Sequence, residues 1–180
     1  YPPGIEGPAV DSQGNLFAVN FEKEGTIGFV DSLGNPSLYA ELPEGSIGNG
    51  IRFDARDNMY VADYVNHNVL LFPAGMREAE VFAHDARLNQ PNDLAISPKG
   101  VLFASDPNWE KGTGQLWRVD QNGFHLLEEE MGTTNGIEVS PDGKRLYVNE
   151  SVQRRIWRYD LDPMGNVAGK TLFYKFDDHG

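Results

Sequence analysis

Apolar and polar positions alternate in short runs along the whole chain, and the runs recur at a fixed interval. From Asn135 to Asn149 the pattern reads as a strand, a Ser140-Pro141-Asp142-Gly143 turn and a second strand, with an amide side chain just ahead of the first strand. The same layout appears from Asn92 to Asp106, from Asn49 to Asp54 and from Glu6 to Asp11. Glu6, Asn49, Asn92 and Asn135 are spaced by 43 residues, and so are Asn20, Asp63, Asp106 and Asn149 at the end of the following strand. Two polar columns sharing one period, with about four short strands per unit, are the signature of a β-propeller built from repeated blades.

The pattern predicts four meanders of antiparallel strands. Blade 1 (5–43) carries strands at 7–11, 16–20, 26–31 and 37–42; blade 2 (46–88) at 50–54, 59–63, 69–72 and 78–82. Blade 3 (89–131) follows with 93–97, 101–106, 115–120 and 124–127, and blade 4 (132–178) with 136–140, 145–150, 155–160 and 171–176. The separators carry Gly, Asn or Pro, which adopt backbone conformations that strand residues avoid. No segment sustains apolar spacing at three and four residues, and Met76-Arg77-Glu78-Ala79-Glu80 is too short to form a helix alone. The expectation is an all-β, single-domain propeller with about four blades in these 180 residues.

Composition narrows the partners. Fifteen Lys and Arg against 27 Asp and Glu give a net charge of −12, which disfavours nucleic acid and anionic lipid. No apolar run approaches the roughly 20 residues of a membrane-spanning helix. With no Cys, thiol catalysis and Cys-ligated metals are excluded.

The inner strand of a propeller blade lies nearest the central axis, so Glu6, Asn49, Asn92 and Asn135 should converge at its mouth. One carboxylate with several amide oxygens suits a hard cation such as Ca²⁺ better than zinc, which prefers N or S ligands. A single Glu is thin for a tight site, so a further carboxylate is expected from another repeat. The same Asn and Gly residues also suit the turn entering each inner strand, and both readings stay open on spacing alone. Asp106 and Asn149 end second strands near the same mouth, where they either meet substrate or cap the next turn; Trp109, in a loop, is a candidate for the pocket rim. Trp117 and Trp157 are expected to pack between blades, and Glu128-Glu129-Glu130 to form a solvated strand end. The four His residues show no metal-ligand spacing; only His179 lies where a further blade would meet this one.

Glu6-Gly7-Pro8, Gln90-Pro91-Asn92-Asp93-Leu94 with Ser97-Pro98-Lys99-Gly100, and the stretch from Thr134 to Val148 resemble the gluconolactonase, senescence-marker-protein and luciferin-regenerating-enzyme family, itself similar to diisopropyl-fluorophosphatase. The resemblance covers essentially the whole chain. It implies a six-bladed propeller with a catalytic divalent cation in its tunnel, usually Ca²⁺, with Zn²⁺, Mn²⁺ or Mg²⁺ as alternatives. The family's metal-binding Glu falls on Glu6 and its two Asn ligands on Asn92 and Asn135. The fourth ligand, an Asp that is also the favoured base or nucleophile, has no counterpart up to Gly180, so the catalytic residue is expected beyond it. Asn49 is then a pore-lining residue, and Asp93 either a carboxylate that orients the Asn92 amide or an acid that shapes the turn. The implied activity is metal-dependent opening of a lactone or other small ester, with a phosphotriesterase or a non-catalytic binding propeller as alternatives. The remaining two blades are expected from a C-terminal continuation or from a second chain.

Overall fold

The computed structural model describes residues 4–177, so His179 lies outside the described residues. Sixteen strands form four separate antiparallel sheets of four, each wound in chain order, with no helix among the described residues. Blade 1 holds β1 (Ala9–Val10), β2 (Leu16–Val19), β3 (Thr26–Val30) and β4 (Pro36–Glu41). Blade 2 holds β5 (Gly48–Phe53), β6 (Met59–Asp63), β7 (Asn68–Phe72) and β8 (Glu80–His84). Blade 3 holds β9 (Leu94–Ile96), β10 (Leu102–Asn108), β11 (Thr113–Asp120) and β12 (Gly123–Met131). Blade 4 holds β13 (Thr134–Val139), β14 (Arg145–Glu150), β15 (Arg155–Leu161) and β16 (Val167–Lys175).

The largest departures from the expected strand boundaries are in β12 and β16. β12 continues past residue 127 to Met131, because a bulge near Trp117 lets the acidic run stay paired with β11. Glu128 there meets Lys170 in an ion pair, so this part of the run is not simply a solvated end. β16 starts at Val167, inside the segment expected to be a loop.

The core lies between sheets. Phe17, Val19 and Ile27 of blade 1 pack on Ile51, Val61 and Leu70 of blade 2; Tyr60 and Val69 of blade 2 pack on Leu94 and Trp117 of blade 3; Phe103 and Leu116 of blade 3 pack on Ile137 and Val148 of blade 4. Each such side chain contributes roughly 1.5–3 kcal/mol when fully buried, so the blades are held to one another by apolar faces rather than by shared ladders. Blade 4 presents the contrast. Leu172, Phe173 and Tyr174 on its outer strand, and Phe176 just past it, remain about half exposed.

Hairpin turns are built by a recurring Asp with Asn four residues later, at Asp11–Asn15, Asp31–Asn35, Asp54–Asn58 and Asp162–Asn166. At Asp54, Oδ1 accepts the N–H groups of Arg56 and Asn58 while Oδ2 accepts the Asn58 amide. Burial tends to raise this carboxyl, but these hydrogen bonds prevail and hold it below the ordinary 3.8. A depressed folded-state value means stability present above pH 3.8 and lost as pH falls through the folded value. Asp54→Ala should therefore lower the urea midpoint at pH 7. The gap from the parent protein should close as the pH is taken toward 3.

Candidate functional site

The inner strands are irregular where they reach the mouth. In β5, Gly48 pairs with Asp63 but Ile51 pairs with Val61, which leaves one extra residue in the Asn49-Gly50 segment. In β13, Thr134 pairs with Glu150 but Ile137 with Val148, placing Asn135-Gly136 in the same kind of bulge. Bulges interrupt pairing and re-aim a side chain, and they gather beside functional sites. The period therefore places Asn49 and Asn135 at a recurring kink rather than within a regular ladder, while Asn92 lies just ahead of β9.

Neighbouring kinks touch. The N–H of Gly50 donates to the Asn92 carbonyl at 2.8 Å, joining blade 2 to blade 3. A Cβ on Gly50 would lie 2.6 Å from Asp93 Oδ1 and 3.0 Å from the Asn92 carbonyl oxygen. Gly7, at φ +52°, is tighter still, since a Cβ there would lie 1.9 Å from the Asn49 carbonyl oxygen. Glycine at both positions is what allows these backbones to approach.

Glu6, Asn49, Asn92 and Trp109 line one cleft of about 580 Å³, together with Asn20 and Tyr64. Three blades supply these groups. Among the described residues, no hydrogen bond or ion pair engages the side chains of Glu6, Asn49, Asn92 or Asn135. Asn135 does not line this cleft; it is half-buried in the β13 bulge, farther round the arc. No group of three or more His, Cys, Asp or Glu with metal-binding geometry occurs among the described residues. A cation held here would depend on amide oxygens beside Glu6, the donor mixture that suits a hard ion.

The other candidates have different surroundings. Asp106 is fully buried, and its carboxylate accepts the N–H groups of Asn89 and Gln90 and the Trp117 indole N–H. Burial pushes its carboxyl up against the opposing effect of those donors. It staples the link into blade 3 and has no access to substrate, so of the two readings left open by the sequence the structural one holds. Asp63 does the same in blade 2, accepting the Ser46 hydroxyl and the Ile47 N–H. In blade 4 the task passes to Glu150, which accepts the Gly132 N–H and the Trp157 indole N–H. Asn149, one residue earlier, lines a separate cleft of about 530 Å³ with Tyr174 and Phe176.

Asp93 does not hydrogen-bond the Asn92 amide. Its Oδ2 takes Arg52 Nη2 at 3.0 Å and the Ile137 N–H at 3.4 Å, while Oδ1 takes the N–H of Leu94. Burial raises this carboxyl, with the Arg52 guanidinium pulling the other way. Trp117 is wholly buried between blades and Trp157 packs against the blade 3–4 core. Sequence reasoning missed Tyr64 and the 20–24 loop as cleft residues; Asn20 already stood in a 43-residue column, whereas Tyr64 has no periodic partner of its type.

A model for the SMP-30/gluconolactonase/LRE-like region matches residues 5–180. The chain belongs to this family. It is 28% identical over 163 residues to the gluconolactonase of Zymomonas mobilis, covering 78% of this chain and 46% of that protein. Regucalcin from Agrobacterium tumefaciens, described as a calcium-binding protein, superposes with a TM-score of 0.77 at 22% identity, covering 94% of this chain and 58% of the other. A gluconolactonase from Xanthomonas campestris gives 0.72 at 21% identity, covering 94% and 62%. The propeller architecture is thus shared with known lactonases. The chain spans about half the length of the curated relatives it matches.

Proposed function

We propose that these blades form part of a divalent-cation-dependent lactonase, with Ca²⁺ the best-suited ion. One observation supports it most: the Glu6 carboxylate and the Asn49 and Asn92 amides, from three blades, line one cleft, and no partner within the described chain claims their side chains. Glu6 supplies negative charge, and Asn92 and Asn135 supply neutral oxygens that add donors without overloading the site. Asn135 reaches the ion only if its side chain turns from the bulge toward the axis in the complete ring. The cation, when bound, supplies Lewis acidity toward an ester carbonyl and lowers the pKa of water. The fourth ligand and proton acceptor is assigned, by the family resemblance, to a further blade. The half-exposed apolar side chains on the outer strand of blade 4 are the surface on which that blade would pack.

Within the cleft, Tyr64 and the 46%-exposed Trp109 offer flat apolar surfaces for one face of a sugar ring. Glu22 and Glu24 reach the rim beside Lys23, whose ammonium is held by Glu41 at 2.8 Å. The rim is net acidic, so an anionic substrate has no free cationic anchor among these residues. Full-length protein should open D-glucono-δ-lactone in the presence of Ca²⁺ and stop on chelation, as followed by pH-stat. It should prefer the neutral lactone to its 6-phosphate by roughly tenfold or more in kcat/KM, because like charge repels at the entrance. Chelator-insensitive turnover would refute cation dependence, and preference for the phosphate would refute the charge argument.

A further inference from the structure

The Arg52–Asp93 ion pair crosses from the inner strand of blade 2 to the segment entering that of blade 3. Both side chains are largely shielded, with 25% and 19% of their surface exposed. Arg52 Nη1 is tied to its own strand through the Ile51 carbonyl at 2.8 Å, so the guanidinium is fixed before it reaches Asp93 through Nη2. The same Asp93 oxygen that receives Arg52 accepts the Ile137 N–H, two residues past Asn135. Asp93 adjoins Asn92, and Arg52 lies three residues past Asn49. One carboxylate therefore connects the strands that carry all three amides, at the level just beneath the mouth.

Its seat is held from several sides. The N–H of Asp93 donates to Ser105 Oγ at 3.1 Å, and its carbonyl accepts the Ser105 N–H at 3.0 Å. Gly50 leaves the space that Asp93 Oδ1 occupies, and the Gly50 N–H grips the preceding carbonyl. Among the described residues, only Arg52 supplies a side-chain counter-charge to Asp93. Removing it would leave a shielded carboxylate that must turn toward water, carrying Asn92 and the Ile137 strand with it.

We propose that Arg52 is a positioning residue: by anchoring Asp93, it sets the separation of Asn49, Asn92 and Asn135 around the axis. It touches neither cation nor substrate. The inference rests on the lactonase reading for its cation readout alone, since the strand spacing is observable without any ligand.

The test uses full-length protein and three variants. Arg52→Met keeps length without charge, Arg52→Lys keeps charge with a single donor group, and Val61→Ala loosens the blade 1–2 core as a stability control. Calorimetric titration with Ca²⁺ should show affinity about tenfold weaker in Arg52→Met, the lower end of the range for partners bonded directly to a ligand, because Arg52 acts through Asp93 and the strands it joins. Arg52→Lys should recover most of that loss, and Val61→Ala should lower the melting temperature with affinity unchanged. Crystal structures of the parent and Arg52→Met should show Asn92 displaced relative to Asn49 and Asn135 in the variant. An unchanged amide spacing overturns the inference, whether or not the parent binds Ca²⁺. Unchanged affinity in Arg52→Met beside a binding parent does so too, as does a Lys variant no better than Met. Absence of Ca²⁺ binding in the parent counts against the lactonase reading, and the crystal structures still decide the role of Arg52.

Discussion

Glu6→Gln in the full-length protein should lose cation-dependent lactone hydrolysis by roughly 100-fold or more, exceeding the 10- to 100-fold expected for partners that only orient a ligand. Glu6 is the sole carboxylate among the four column residues, so the change removes the formal negative charge that this column contributes while keeping shape and one carbonyl oxygen. The Glu6 side chain is exposed and has no partner among the described residues, and its backbone bond to Val19 is unaffected by the change, so the fold should tolerate it. Surface substitutions of this kind usually alter stability by less than about 0.5 kcal/mol. Asn92→Ala should also weaken cation binding, but its backbone carbonyl will still hold Gly50, leaving the mouth assembled. Calcium titration and steady-state kinetics on the same preparations check this. A Glu6→Gln protein with parental affinity and turnover would remove Glu6 from the site.

Gly7→Ala should be the most damaging single methyl addition at the mouth. The new Cβ would sit 1.9 Å from the Asn49 carbonyl oxygen, a backbone atom that cannot swing aside as a flexible side chain would. Alanine must also adopt φ near +52°. The left-handed backbone costs about 1–2 kcal/mol and overpacking about 1–3 kcal/mol, so a loss of about 2–5 kcal/mol is expected in chemical denaturation. Because the strain falls between Glu6 and Asn49, any folded fraction should bind Ca²⁺ more weakly than the parent. Gly14→Ala is the matched control. That glycine also has positive φ, at +83°, but its Cβ would meet nothing within 4 Å, so only the backbone cost should remain.

The blades were legible in the sequence because a fixed period aligns equivalent strands, and alternating apolar residues show which faces meet. The period also placed Glu6, Asn49 and Asn92 at one mouth, since a repeat carries position as well as type. It could not distinguish a site residue from a staple. Asp63 and Asp106 share a column with Asn20 and Asn149, yet the two acids are buried in turn caps while Asn20 borders the cleft. In blade 4 the stapling carboxylate moved to Glu150 without disturbing the period, because the local hydrogen bonds changed while the strand register was kept. Asp93 was singled out, but as a partner of Asn92; its pairing with Arg52 was hidden for another reason. Their ion pair joins residues 41 apart on different blades, and no repeat of it marks the other blades.

Cation-dependent turnover requires oxygen atoms from separate blades to meet around one divalent ion. Anomalous diffraction from crystals of the full-length protein grown with Mn²⁺, a scattering substitute for Ca²⁺, tests this most directly. One strong peak on the propeller axis, bounded by the Glu6 carboxylate and the Asn92 and Asn135 side-chain oxygens, is the expected result. A mouth without such a peak, with these side chains turned away from one another, would contradict it.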